Sequence, residues 1–144
     1  MKSYFPDINV WLALAYRGHQ HHLSAASWLE RLGGEPICFC RFTQLGFLRL
    51  LTHPAVMREE VMTQREAWQA YDLLAGDQRV IFYPEPNPDD VGVELRALTS
   101  LAQFAPRQWP DAYLAAFAKV AGLTLVTFDR ALSRLAGTDA LLLK

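Results

Sequence analysis

Four short apolar runs, with a candidate fifth near the carboxyl terminus, constrain this chain more than any other feature: Ser3–Pro6, Ile37–Cys40, Val80–Tyr83, Leu123–Thr127 and Leu141–Leu143. Each is too brief for a helix, and each is separated from the next by a stretch long enough to hold one. Runs that stay apolar without alternating suit strands buried on both faces, and helix-length connections make such strands parallel. The pattern predicts an α/β fold, a three-layer α/β/α sandwich around a central, mostly parallel sheet of four or five strands. Right-handed crossovers would then bring the carboxyl ends of the strands to one edge, where such folds place their sites.

The intervening segments carry helical punctuation. Asp7 leads into the apolar stretch Ile8–Ala15, and Leu23, Ala26, Trp28, Leu29 and Leu32 repeat at helical spacing until Gly33-Gly34. A helix over Thr43–Leu51 is closed by Pro54, and a longer one through Arg65, Trp68, Tyr71 and Leu74 stops at Gly76. Asp89 and Asp90 open a helix reaching about Leu101. After a loop over Ala105–Pro110, Asp111 begins an alanine-rich helix that runs to Val120, and Asp129 opens a short one. No repeat, linker or low-complexity tract interrupts the series, and 144 residues suit a single domain spanning 1–144.

Lys and Arg number 14 against 15 Asp and Glu, a formal charge of -1, so any contact with a polyanion has to be local. Arg41, Arg49, Arg58 and Arg65 lie close together in sequence, for which solvated helix faces are the simpler account. An apolar fraction of 51% exceeds what one small domain needs, which predicts that some of this surface meets another chain. Cys38 and Cys40 are too few to staple a fold. Their spacing puts both on one face of a strand, reduced and buried. A structural zinc would have to recruit His19, His21 or His22, a cluster that a polar loop between helices explains as well. With no leader-like start and no run of ~20 apolar residues, the expectation is a cytoplasmic protein without a membrane span.

Three aspartates stand apart. Asp7 follows the first strand, Asp129 follows the fourth, and Asp111 opens the helix just before that strand, so the fold carries all three to one edge. Carboxylates gathered there repel one another unless a cation sits among them, and hard oxygen ligands suit Mg²⁺ or Mn²⁺. Each residue also has a local account as a helix N-cap. Asn9, two positions beyond Asp7, has the chemistry either to brace a ligand carboxylate or to cap.

The segments Phe5-Pro6-Asp7-Ile8-Asn9-Val10-Trp11-Leu12, Asp111-Ala112-Tyr113-Leu114-Ala115-Ala116 and Leu125-Val126-Thr127-Phe128-Asp129 resemble the three acidic motifs of PIN domains. Thr43-Gln44-Leu45-Gly46-Phe47-Leu48-Arg49-Leu50-Leu51-Thr52 resembles the second motif of VapC-like toxins, so the similarity covers nearly the whole chain in order. The resemblance implies a PIN-like fold and a metal-dependent endoribonuclease with Asp7, Asp111 and Asp129 as metal ligands and Mg²⁺ or Mn²⁺ as cofactor. It further implies hydrolysis of structured RNA by a metal-activated water, neutralisation by a cognate VapB-like antitoxin, and a homodimer. Thr127 matches the small hydroxyl residue the family places before its last aspartate, within reach of water or phosphate. Arg49 would hold the scissile phosphate or pair with a carboxylate. The family's second motif usually carries a glutamate where this chain has Gln44, which offers a carbonyl oxygen but no charge. Either activity is reduced or another group compensates, and the sequence singles out none of Glu59, Glu60 and Glu94 for that part.

Rival functions fare worse. A haloacid-dehalogenase-like phosphatase needs a second aspartate two residues after the first, where this chain has Asn9. A dinucleotide-binding fold needs glycines in its first turn, and Asp7–Leu12 has none. A PIN-like binding module that has lost catalysis at Gln44 is the main alternative.

Overall fold

In the computed structural model, which describes residues 1–144, all five apolar runs join one sheet. The strands are β1 (Tyr4–Pro6), β2 (Ile37–Phe39), β3 (Val80–Phe82), β4 (Thr124–Thr127) and β5 (Ala140–Leu142), ordered β3-β2-β1-β4-β5. Every pairing is parallel, so the mostly parallel sheet of four or five strands resolves to five strands with no antiparallel edge. The chain winds outward from β1 in both directions, and the carboxyl end of β1 lies between those of β2 and β4.

The pleat divides the core into two. Ile37 and Phe39 of β2 and Val126 of β4 face one layer, where they pack against α1 (Ile8–Ala15), α2 (His22–Arg31), α3 (Arg41–Leu51) and α5 (Gln64–Ala75). Phe5, Cys38 and Leu125 point the other way, against α7 (Gln108–Ala121) and α8 (Arg130–Ala136), with α6 (Pro88–Leu98) packed along α7. Successive strand residues thus enter opposite cores, as period-two geometry demands. Trp11 anchors the first core, its ring stacked on Phe39 at 3.7 Å and 9°. Cys38 and Cys40 are free and buried side by side in the second, and burial pushes the Cys38 thiol up to about 11. Cys38 lies in β2, whereas Cys40 falls just beyond it as the N-cap of α3, so only one of the pair is on the strand; both are enclosed in the second core.

Helix boundaries depart from the sequence reading in three places. Pro54 does not merely end α3. It occupies the first turn of a further short helix, α4 (Pro54–Met57), where its missing N–H costs nothing. Asn87, not Asp89 or Asp90, caps α6 by accepting from both their amides, and that helix ends at Leu98. The third shift matters for the site: α7 begins at Gln108, three residues before Asp111, because Pro110 falls among the first-turn amides that need no partner. Glycine fixes two further details. An alanine at Gly46 would drive its Cβ into Ile8, so this glycine lets α3 lie close behind the residue that follows Asp7. Gly122 closes α7 with φ 70, the left-handed conformation that glycine adopts freely.

Candidate functional site

Asp7 sits at the carboxyl end of the central strand, and its environment is unlike that of any other acid in the chain. Its backbone N–H donates to Val126 O at 2.9 Å, tying β1 to β4 at the edge. One carboxylate oxygen accepts from the Val10 amide at 3.0 Å, which makes Asp7 the cap of α1. The other accepts from the Thr127 hydroxyl at 2.5 Å. The side chain is only 5% exposed. Burial raises its pKa from 3.8 to about 6 against the lowering effect of those two hydrogen bonds, with repulsion from Asp111 and Asp129 adding to the rise.

Asp129 caps α8, with Oδ1 accepting from Ala131 and Leu132 at 2.8 and 3.2 Å. Asp111 does neither job. It lies inside the first turn of α7 rather than at its cap, nothing in the chain donates a hydrogen bond to it, and burial followed by the charge of Asp129 raises its pKa. The local capping account therefore holds for Asp7 and Asp129 and fails for Asp111. All three interact electrostatically, so the fold does gather them.

No three His, Cys, Asp or Glu side chains converge tightly enough to form a ready-made coordination cage. This holds for the histidine cluster and for the three aspartates alike. It does not disfavour a hard divalent cation, which takes few protein ligands and keeps several waters. A mutually repelling trio of carboxylates, with Asp7 buried, Asp111 half-buried and without a partner, and Asp129 open to solvent, fits such an ion in charge and in donor type.

Thr127 is fully buried. Its hydroxyl proton goes to Asp7 and its oxygen accepts from the Asp129 amide at 3.0 Å, so it bridges two of the acids instead of facing a phosphate. Asn9 leaves the capping to Asp7 and lines a hollow of about 220 Å³ together with Asp7, His19, Gln20, His21, Phe128 and Asp129. The sequence offers the loop histidines only as zinc ligands, not as neighbours of the aspartates. Their cluster is visible in the sequence, but only the fold brings it beside Asp7 and Asp129; Asp111 does not line this hollow.

Gln44 is buried on α3, but its oxygen is taken by Arg41 Nη1 at 2.5 Å, and Arg41 in turn stacks over Phe82 at 4.8 Å. It does not line the acidic hollow. Arg49 is not brought to the acids either. It lies two helical turns beyond the amino end of α3, in a separate hollow with Leu48, Thr52, Gln64, Ala67 and Trp68. A helix starting at the carboxyl edge of a strand runs back away from that edge, which sets Arg49 apart from the acidic hollow. Glu94 is paired with Lys119 at 3.2 Å, and Glu59 and Glu60 lie in an exposed turn after α4.

Residues 4–138 match the PIN domain family. The chain is 40% identical over 141 residues to Ribonuclease VapC41 of Mycobacterium tuberculosis, covering 95% of this chain and 96% of that protein. It is 31% identical over 129 residues to Ribonuclease VapC39 of the same species, covering 88% of each. In fold it matches VapC20 of M. tuberculosis, described as a toxin cleaving the sarcin-ricin loop, with a TM-score of 0.68 at 15% identity over 95% of this chain and 98% of that one. The VapBC2 structure from Rickettsia felis, bound to a DNA fragment from its promoter, matches with a TM-score of 0.67 at 11% identity over 98% of each chain.

Proposed function

The chain belongs to the PIN domain family, and from that premise we propose that it is a VapC-type toxin ribonuclease that hydrolyses RNA phosphodiesters with a divalent cation held by Asp7, Asp111 and Asp129. The observation that carries the reading is Asp111, a carboxylate without a hydrogen-bond partner, held beside two others at the carboxyl edge. When bound, Mg²⁺ or Mn²⁺ would acidify water and neutralise charge developing on the phosphate. The protein's own part is to hold acceptors in place. The amide of Val10 and the hydroxyl of Thr127 fix both oxygens of Asp7, and the first turn of α8 fixes Asp129, so little reorganisation is left for the moment of reaction.

The named relatives support ribonuclease activity, and the VapBC2 neighbour supports neutralisation by a VapB-like antitoxin. A homodimer would cover part of the apolar surface that this chain leaves exposed, including Leu23, Leu73 and Phe104. No helix is long and apolar enough to cross a membrane.

Purified protein incubated with total RNA should cut it with Mg²⁺ or Mn²⁺ and not with EDTA, and Asp111→Asn should lose this cleavage while melting at a temperature no lower than the parent. Intact RNA under every condition would favour the binding module, and hydrolysis of small phosphate esters alone would favour the phosphatase. Gln44→Glu restores the charge of the family's usual second motif, but Arg41 stands ready to pair with it. Calorimetry is expected to show Mn²⁺ binding tightened only about threefold in this variant, and about tenfold when Arg41→Gln is added. Identical affinities in both would put position 44 outside the influence of the cation.

A further inference from the structure

The acidic hollow has a second wall that the proposed chemistry leaves unused. Of the seven residues lining it, two are aspartates and none is lysine or arginine. A phosphate entering there meets negative charge that a cation offsets, and the other polar groups facing it are Asn9, His19, Gln20 and His21. The loop that carries the last three is ordered. His19 N–H donates to Tyr16 O and His22 N–H to His19 O, both at 3.0 Å, and His22 Nδ1 lies 2.7 Å from Ala13 O, which fastens the loop to α1.

Within the loop, His19 Nδ1 accepts from the His21 amide at 3.0 Å. A nitrogen that accepts carries no proton, so the ring is neutral with its N–H at Nε2. The His21 ring lies flat on Phe128, centroids 4.3 Å apart at 12°, immediately before Asp129 in sequence. A connection serving only to join α1 to α2 needs none of this, since a polar loop is satisfied by water.

Resting on the ribonuclease reading above, we propose that the His19–His21 loop is the nucleotide-positioning wall of the hollow, with His19 Nε2–H donating to a phosphate oxygen and the His21–Phe128 stack carrying a base beside the scissile bond. Neutral donors add affinity for phosphate without competing with the carboxylates for the cation. An aromatic platform accepts any base, because every base has a π-face.

The test uses the full chain and a short labelled single-stranded RNA with Ca²⁺ in place of Mn²⁺, an ion that offsets the carboxylates but acidifies bound water less, with binding read by fluorescence anisotropy. His21→Ala and His19→Ala should each weaken binding about tenfold, as loss of one stacked base or one well-placed donor does. His21→Phe, which keeps a ring on Phe128, and His19→Gln, which keeps an N–H donor, should restore most of it. With Mn²⁺ present, the alanine variants should raise KM more than they lower kcat. Alanine variants that bind and cut like the parent, in a protein whose cleavage still depends on Asp111, would overturn the wall while leaving the ribonuclease intact. Equal losses in the alanine and conservative variants would overturn it too, by assigning the loop to packing alone. A parent that neither binds nor cuts RNA would remove the ribonuclease reading itself and this inference with it.

Discussion

Asp7→Asn should give a protein that is more stable than the parent in the absence of divalent cations and yet cuts RNA more than about a hundredfold more slowly, since losing a supporting residue behind a metal ligand already costs up to that factor. The two effects share one cause. The folded carboxyl titrates at about 6 and the unfolded one near 3.8, so the folded state binds the proton more tightly. Below about pH 4 both forms are protonated and Asp7 costs nothing. The penalty grows between about pH 4 and pH 6 and is complete above it, on the order of 3 kcal/mol for a shift of this size. Asparagine keeps an oxygen for the Val10 amide, so the cap of α1 survives while the buried charge disappears. Thermal melts across this pH range in EDTA should show parent stability falling as pH rises, and the variant should lack that component. Adding Mn²⁺ above pH 6 should raise the parent midpoint and leave that of the variant nearly unchanged. A parent midpoint indifferent to Mn²⁺ at neutral pH would contradict a cation site at Asp7.

The second large effect lies in the core. Trp11→Ala should lower stability by about 3–5 kcal/mol, a large share of what a domain of this size possesses. Trp11 is 1% exposed and stacked on Phe39, which itself packs against Phe47 and Tyr71, so its removal leaves a void lined by rings that cannot easily close on it. Trp11→Phe should cost far less. The indole N–H has no hydrogen-bond partner, and replacing it loses no bond and relieves a buried donor left unmatched. Urea denaturation of both variants checks the pair, and equal losses would show that the indole N–H has a partner in solution. Because Trp11 lies one helical turn after Asp7, the alanine variant should also lose cleavage, whereas phenylalanine should keep it.

The candidate site was legible to different depths. Asp7 and Asp129 could be placed because a strand end and a helix cap are local events, written in neighbouring residues. Asp111 was assigned to the right edge and the wrong position: Pro110 reads as loop, yet proline is tolerated in a first turn, and the helix starts before it. That single difference removes the capping account for Asp111. Arg49 is not placed by its motif, because spacing within a motif says nothing of how far a helix carries a residue from the edge where it begins. Thr127 was expected to face water or phosphate, and its hydroxyl serves Asp7.

What the sequence determined alone was the class of fold and the set of acids. Unbroken apolar runs suit a sheet covered on both faces, as at β2 and β4, although Ile81 and Phe82 of the edge strand β3 stay exposed, and parallel order follows from connections of helical length. What tertiary structure decided was company: Thr127 with Asp7 across 120 residues, Gln44 with Arg41, and a histidine loop folded back beside Asp7 and Asp129. Propensity and periodicity act over a few residues, whereas these contacts depend on where whole elements dock, and no residue carries that information by itself.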